Sequence, residues 1–594
     1  MRVGVDVGGT FTDLVGPDGR VVKVPSSPAA PTAAVRRALA AAGPGRPGLL
    51  VHGTTVATNA LLERRLADVT LVTTAGFEDV IEIARQQRPS LYDHFADRPE
   101  PLVPRHRRVG VPVRPMAHGP EPGAAGPDPP AVPALPAGTG AVAVVLLHAD
   151  LHPGPEARLA AGLRDRYPGL AVCASSEVAP EFREYERTVT TVVNAALIPV
   201  CGPYLEALAG LAGEVLVMTS AGGLVAPGEA AARPAALLLS GPAAGARAAA
   251  ALAEACGFPV AVAFDMGGTS TDTCLVAGGA PQAAPERRVA GLPIRLPALD
   301  VHTIGAGGGS IARIDAGGAL RVGPRSAGAD PGPACYGRGG PDPTVTDADL
   351  VAGRIPPGEP LAGITLDVGA ARAALRRAGV DADGVIRVVE ANMAAAVRAV
   401  TVARGVDPAR AALVAYGGAG PLHAAPVAAA LGMPAVLVPP RAGVFSAVGL
   451  LGAPRQRELV RSWPGGIDHT GLEELRAALA ADAGALVPDA TTETFFDCRY
   501  AGQSHELTVT DVAAFHAEHA RRNGYARPDA PVEVVAVRAR ATGPVPGRLD
   551  DLPPPDRRAC SGPAVLAEED CTVHVPDGWV AEVGPLGTWI LRRR

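Results

Sequence analysis

The chain opens on an apolar run, Arg2 to Val7, passes through the polar stretch Gly8 to Asp13, and becomes apolar again at Leu14-Val15. Two short apolar runs around a glycine-bearing polar tip predict a β-hairpin. The same pattern returns where Val260 to Met266 leads through Gly267 to Asp272 into Cys274 to Val276. Set side by side, Val5 to Asp13 and Phe264 to Asp272 agree at six positions and spell DxGGTxTD twice. A repeat of this kind predicts a duplicated architecture, with one hairpin opening each half of the protein.

Between the hairpins the pattern alternates between strand and helix periods. Val51 to Thr55 is followed by a helical spacing through Leu61, Leu62 and Leu66, then by a strand at Val69 to Thr73. The Pro-, Gly- and Ala-rich stretch 112–136 is expected to be a loop. Beyond it come a strand at Ala141 to Leu147, helices at Glu156 to Arg166 and Glu181 to Ala196, and a strand at Glu214 to Thr219. Ala243 to Ala255 predicts an Ala-rich helix bridging the halves, and Leu299 to Gly340 a long functional loop region. A helix at Val385 to Arg404 and a strand at Ala411 to Ala415 lead to the glycine turn Tyr416 to Pro421, where Pro421 fits a helix start. After residue 460 shorter runs at Thr494 to Tyr500, Glu506 to Val509 and Val532 to Ala541 predict a separate α+β unit. The expected divisions are therefore 1–225, 226–460 and 461–594.

Length and composition fit this plan. A chain of 594 residues exceeds one core, and 47% hydrophobic against 19% charged residues describes a large buried interior. A net charge of −6 supplies no positive field for nucleic acid or an anionic membrane. The eight cysteines show no C-x-x-C pair, so they read as reduced thiols rather than zinc ligands. Met1 runs straight into the first strand with no leader pattern, and the apolar stretch Ala424 to Val438 is broken by Pro426, Gly432 and Pro434. A cytoplasmic protein without a membrane span is expected.

The chemistry concentrates at the tips. Gly8-Gly9 and Gly267-Gly268 let backbone N–H groups approach an anion, and Thr10, Thr12, Thr269 and Thr271 add hydroxyl donors. Asp6, Asp13, Asp265 and Asp272 would repel a bare phosphate. A divalent cation resolves the conflict, because Mg²⁺ is held by one or two carboxylates together with phosphate oxygens and water. Asp6 and Asp265 are the expected metal-side carboxylates. One such tip alone reads equally well as a tight Asx turn; two matched tips favour a phosphate site. Gly417-Gly418-Ala419-Gly420 adds a turn that can lie against an adenosine.

Two phosphate hairpins followed by an adenosine loop resemble the signature of the actin-like ATPase superfamily. The segments VGVDVGGTFTDLV from Val3, HGTTVATNALLER from His52, EFREYERTVTTVVNA from Glu181, LSGPAAGA from Leu239, FDMGGTSTD from Phe264, LDVHTIGAGGGSIARID from Leu299, SAGADPGPACYGRGGPDPTVTDADLV from Ser326 and AYGGAGPLHA from Ala415 resemble, more closely, the hydantoinase A/oxoprolinase family. That resemblance covers most of the chain. It implies an α/β, duplicated actin-like (ribonuclease H-like) two-lobed fold with a smaller C-terminal α+β domain. It also implies ATP and Mg²⁺, phosphorylation of a carbonyl oxygen, hydrolysis of a hydantoin- or 5-oxoproline-type cyclic amide, and a separate hydantoinase B-like companion. An ATP-binding subunit of an acetone- or acetophenone-type carboxylase is the alternative outcome, and a non-catalytic actin-like nucleotide switch a third.

Asp300 and His302, two apart on a strand, are candidates for acid/base work or metal binding near the substrate. His52 is another. Each has a structural alternative, a hydrogen-bonded strand end for the pair and a packed core histidine for His52. The charged run Arg183 to Arg187 is explained as well by ion pairs along a helix.

Overall fold

Two hairpins of like construction each seed a sheet. In the first, Arg2–Val7 runs antiparallel to Phe11–Val15, with Asp6 opposite Asp13, and parallel to Leu49–Thr54. In the second, Val260–Met266 runs antiparallel to Thr271–Ala277, with Asp265 opposite Asp272, and parallel to Ala412–Tyr416. Each sheet then adds one more parallel strand, Glu214–Met218 in the first and Val436–Val438 in the second. Strands in the middle of such sheets are covered on both faces, so Val262, Ala263 and Phe264 are all buried and the sequence there is a continuous apolar run. These elements belong to a computed structural model that describes residues 2–594 apart from 28–29, 44, 114–130, 285 and 359–363. Most of the expected loop 112–136 lies outside the described residues.

Helices Ser240–Ala255 and Phe445–Leu451 pack together between the two sheets. Ala244 and Leu450 join a small core with Val51, Leu216 and Met218 of the first sheet, while Ala243, Ala246, Ala447 and Val448 belong to the core of the second. Small side chains are required here. A Cβ at Gly449 would collide with the Ala244 carbonyl, and one at Gly4 with the Ala447 carbonyl. The alanine content of Ser240–Ala255 thus lets backbones approach closely at the junction of the lobes.

Several expectations change. The helix expected to end at Ala196 runs from Glu184 to Ala209, because buried Cys201, Tyr204, Leu205 and Leu208 hold it past Pro199 and Pro203. It is long and apolar enough to cross a membrane by length and composition, yet Val189, Val192, Val193 and Leu197 pack in the first lobe's core. The region Leu299 to Gly340 is not one long loop: Val301–Ile304 pairs with Thr271–Ala277, and Ser310–Ile314 with Leu320–Ser326. Its glycines obscure strands that are stabilised by pairing rather than by their own apolar pattern.

The boundaries shift as well. Ala230, Ala235, Leu237 and Leu238 belong to the first core, so that lobe runs past residue 225. The hairpin Arg287–Val289/Leu292–Ile294 reaches back into the same core through Val289 and Ile294. The expected C-terminal unit 461–594 divides in two. Gln456–Ser462, Val532–Thr542, Thr491–Tyr500 and Leu507–Val509 form a sheet of their own. Trp579–Val583 and Trp589–Arg593 instead extend the second large sheet beyond Val436–Val438. An unpaired edge strand offers free N–H and C=O groups, and the tail satisfies them.

Candidate functional site

The tips of the two hairpins meet. A Cβ built on Gly268 would lie 3.6 Å from Thr10 Oγ1. Around this junction is a cavity of about 340 Å³ lined from both halves, by Asp6, Gly8 to Phe11 and Asp13 on one side and by Asp265, Gly267 to Ser270 and Asp272 on the other. Gly417, Gly418 and Ala419 line it too, held against the second hairpin by the Ala419 N–H, which donates to the Met266 carbonyl at 3.0 Å. Gly417 has a φ of +79°, and a Cβ there would collide with Asp265 Oδ1, so this turn admits glycine alone.

The electrostatics of the cavity are set by its buried carboxylates. Burial pushes Asp6 up to about 7, with Asp13 adding to the rise and Lys23 opposing it. Burial likewise takes Asp265 to about 8, reinforced by Asp272, and takes Asp272 to about 6. Asp6 Oδ1 is buried without a hydrogen-bond partner among the described residues, whereas Asp265 Oδ2 accepts from Ser446 at 3.2 Å. Carboxylates crowded in low dielectric, one with an orphaned oxygen, fit a divalent cation that would restore them to the charged form. The open backbone at Gly9, where a Cβ would meet nothing within 4 Å, leaves room for an anion against the tip.

Several residues expected at the site are elsewhere. Thr12 and Thr271 are fully buried and face away from the cavity, Thr12 sharing a hydrogen bond with Ser26 at 3.0 Å and Thr271 donating to the Ala306 carbonyl at 2.5 Å. The alternation of a strand sends Thr12 and Asp13 to opposite faces, which the linear motif conceals. Gly420 begins helix Gly420–Ala430 and is not in the lining, although Thr10, Thr269 and Ala419 are.

The substrate-side candidates do not enter the cavity. Asp300 pairs with Arg404 at 2.5 Å, and His302 is exposed on the strand beside Thr271–Ala277. His52 is fully buried on Leu49–Thr54; its Nδ1 is 3.1 Å from the Val5 carbonyl and its Nε2 2.5 Å from the Tyr204 hydroxyl. Burial pulls it down to about 4, so it is neutral, donates from Nδ1 and accepts at Nε2, pinning strand to helix. The run Arg183 to Arg187 is spent on ion pairs, Arg183 with Glu506, Glu186 with Arg85 and Arg187 with Asp150.

The cavity contains groups that the linear reading passes over: Lys23, Tyr336, Asp349, Ser446 and the loop Ala567 to Thr572. Lys23 lies on Val21–Pro25, the strand paired with Phe11–Val15, opposite Asp13 and 3.0 Å from its carboxylate. Asp349 lies inside the run quoted from Ser326 but is not singled out by it, and the Ala567 to Thr572 loop had no signal at all. They reach the site only through long-range packing.

Comparison with known proteins follows the same outline. Residues 2–166 match the hydantoinase/oxoprolinase N-terminal region and residues 187–458 match hydantoinase/oxoprolinase. Caprolactamase subunit alpha of Pseudomonas jessenii is 33% identical over 99% of this chain and 99% of its own. The crystal structure of ATP-dependent caprolactamase from Pseudomonas jessenii superposes with a TM-score of 0.82 at 30% identity, covering all of both chains. The nucleotide-free structure of acetone carboxylase has a TM-score of 0.77 at 23% identity over 100% of this chain and 99% of that one, a likeness of fold.

Proposed function

The chain belongs to the hydantoinase/oxoprolinase family, and from that premise we propose that it uses ATP to open a cyclic amide by phosphorylating its carbonyl oxygen. The observation that carries this reading is the meeting of two carboxylate-bearing glycine tips over one cavity. The repeated strand plan, a hairpin followed by two parallel strands in each large sheet, supports an actin-like, ribonuclease H-like pair of lobes.

Amide nitrogen donates into its carbonyl, so the oxygen is the nucleophilic atom and the carbon a poor electrophile. The lactam oxygen attacks the γ-phosphorus, forming a new O–P bond while the β–γ bridge breaks and ADP leaves. Water adds to the activated carbon, the C–N bond breaks with a proton passing to nitrogen, and a second water releases inorganic phosphate from the resulting acyl phosphate. The N–H groups at Gly8-Gly9 and Gly267-Gly268 hold the phosphate oxygens, Thr10 and Thr269 add hydroxyl donors, and the Gly417 to Ala419 turn positions the adenosine side. Asp6 and Asp265 would hold Mg²⁺, which would supply neutralisation of the phosphate charge.

Full-length similarity to a caprolactamase alpha subunit supports a lactam, hydantoin or 5-oxoproline type of substrate and hydrolysis over carboxylation. The relative's designation as a subunit supports a companion chain of the hydantoinase B kind. Eight unpaired cysteines suit a reducing, cytoplasmic setting. The test is phosphate release from ATP by this chain, alone and with its companion, on caprolactam, hydantoins, 5-oxoproline, and ketones with bicarbonate. Lactam- or hydantoin-dependent release accompanied by ring opening supports the proposal. Turnover only with ketone and bicarbonate replaces hydrolysis with carboxylation, and ATP-driven filaments without turnover replace both with the switch.

A further inference from the structure

Asp349 is a cavity carboxylate outside the hairpins whose charge is balanced by a buried network of side chains. It lies on helix Val345–Val351, 1% exposed, and lines the cavity. Its Oδ2 is 3.2 Å from His423 Nε2, and His423 Nδ1 is 3.3 Å from Glu390 Oε1, which also accepts from Arg354 at 2.5 Å. His423 is fully buried on the helix that follows the Gly417 to Ala419 turn. Its carboxylate neighbours outweigh burial and raise it to about 9, so the imidazolium donates to both carboxylates. Two carboxylates, one imidazolium and one guanidinium sum to zero. His574, also close, is held down at about 4 and adds no charge. Asp349 Oδ1 remains, buried and without a hydrogen-bond partner among the described residues.

Its place relative to the tips is defined by contacts. Gly308 N–H donates to the Gly267 carbonyl at 3.0 Å, and Thr346 Oγ1 donates to the Gly308 carbonyl at 2.9 Å. Asp349 follows Thr346 by one helical turn, about 5 Å along the axis. Beside it the cavity wall becomes apolar at Tyr336, Ile355 and Leu422, which belong to one packed cluster. An anionic oxygen between a phosphate-facing tip and an apolar slot repels phosphate and suits a neutral hydroxyl donor. A nucleotide presents that sequence of groups: phosphates, sugar hydroxyls, then an apolar base.

We propose that Asp349, oriented by His423, accepts a hydrogen bond from a ribose hydroxyl of the nucleotide and so selects ribonucleoside over deoxyribonucleoside triphosphates. This rests on the ATP reading. Asp349 is the group that touches the sugar, and His423 is a positioning residue that fixes the rotamer leaving Oδ1 free.

The experiment is calorimetric binding to the full chain of ATP, 2′-deoxy-ATP, 3′-deoxy-ATP and ITP, each with Mg²⁺, for the wild type, Asp349→Asn and His423→Gln. The wild type is expected to prefer ATP over one deoxy analogue by about 10- to 100-fold, the worth of a buried charge-assisted hydrogen bond. Asp349→Asn flattens that ratio while keeping the ATP:ITP ratio, and His423→Gln reduces it with the base preference intact. Equal wild-type affinity for ATP and both deoxy analogues overturns the proposal without any variant, as does a ratio unchanged in Asp349→Asn. A change in the ATP:ITP ratio alone moves the contact to the base and overturns it too. A wild type that binds ATP in any of these outcomes leaves the ATP reading standing; binding of none of the four overturns both.

Discussion

The two hairpin tips carry the same DxGGTxTD residues and hold them in different surroundings. The first is braced from within its own sheet: the Ser26 N–H donates to the Thr10 carbonyl at 2.9 Å and Ser26 Oγ to the Gly8 carbonyl at 2.7 Å, while Lys23 sits 3.0 Å from Asp13. The second is braced by a glycine-rich segment from elsewhere, with Gly308 and Gly309 N–H groups donating to the Gly267 and Gly268 carbonyls at 3.0 and 2.6 Å. Its outer carboxylate, Asp272, has Thr303 at 2.5 Å in place of a lysine. Among the described residues, the first tip therefore carries a cationic side chain beside its carboxylates and the second does not. This fits the higher position of Asp265, about 8, against about 7 for Asp6. The two copies of the motif share their residues, and the surroundings decide how much charge each copy can bear alone.

The largest effect is expected from the inner carboxylates. Asp265→Asn and Asp6→Asn should each lower ATP turnover by about a hundredfold or more with an unchanged circular dichroism spectrum and melting profile. If only one of them does so, the tips do not share the cation. Next, Gly9→Ala places a methyl where the protein has nothing within 4 Å, and at Gly268 the added carbon meets only Thr10 Oγ1 at 3.6 Å. Both variants should fold normally and bind MgATP about tenfold more weakly by calorimetry, because the methyl occupies the anion's path to the N–H groups. Wild-type affinity in both would remove the phosphate from the tips.

The third prediction concerns the second half alone, where His423 is held at about 9 against an ordinary 6.5. A raised histidine contributes stability that is complete below pH 6.5 and is lost as pH rises through 9. Denaturant unfolding should therefore show His423→Gln less stable than wild type by about 3 kcal/mol at pH 6, with the gap closing toward pH 9.5. A gap that is independent of pH would mean that the imidazole acts by packing and not by charge. The smallest effect belongs to Lys23, whose side chain is 22% exposed. Lys23→Met makes the first tip resemble the second, and MgATP affinity measured at 0.15 M salt should change by about threefold or less.

Legibility followed the range of the interactions. The hairpins could be read because each is local and occurs twice, and the turn at Tyr416 to Pro421 because glycine and proline punctuate it. Thr12 and Thr271 misled because a motif is linear and a strand is two-faced. His52 misled because nothing local distinguishes a catalytic histidine from one tied to Val5 and Tyr204. The Ala567 to Thr572 loop was invisible, and Asp349 stood in a quoted run without a role, since they reach the cavity through the tail's addition to the sheet edge and through helix packing. The alternating runs at Trp579–Val583 and Trp589–Arg593 are those of a hairpin, but where a hairpin docks depends on which edge is left open elsewhere.

The most direct measurement is the stoichiometry of MgATP on the purified chain by equilibrium dialysis, for the wild type and for Asp6→Asn and Asp265→Asn separately. One nucleotide per chain, lost in each single variant, is the expected result. Two nucleotides per chain, or one retained undiminished when either tip is altered, would contradict the claim that both tips grip the same triphosphate.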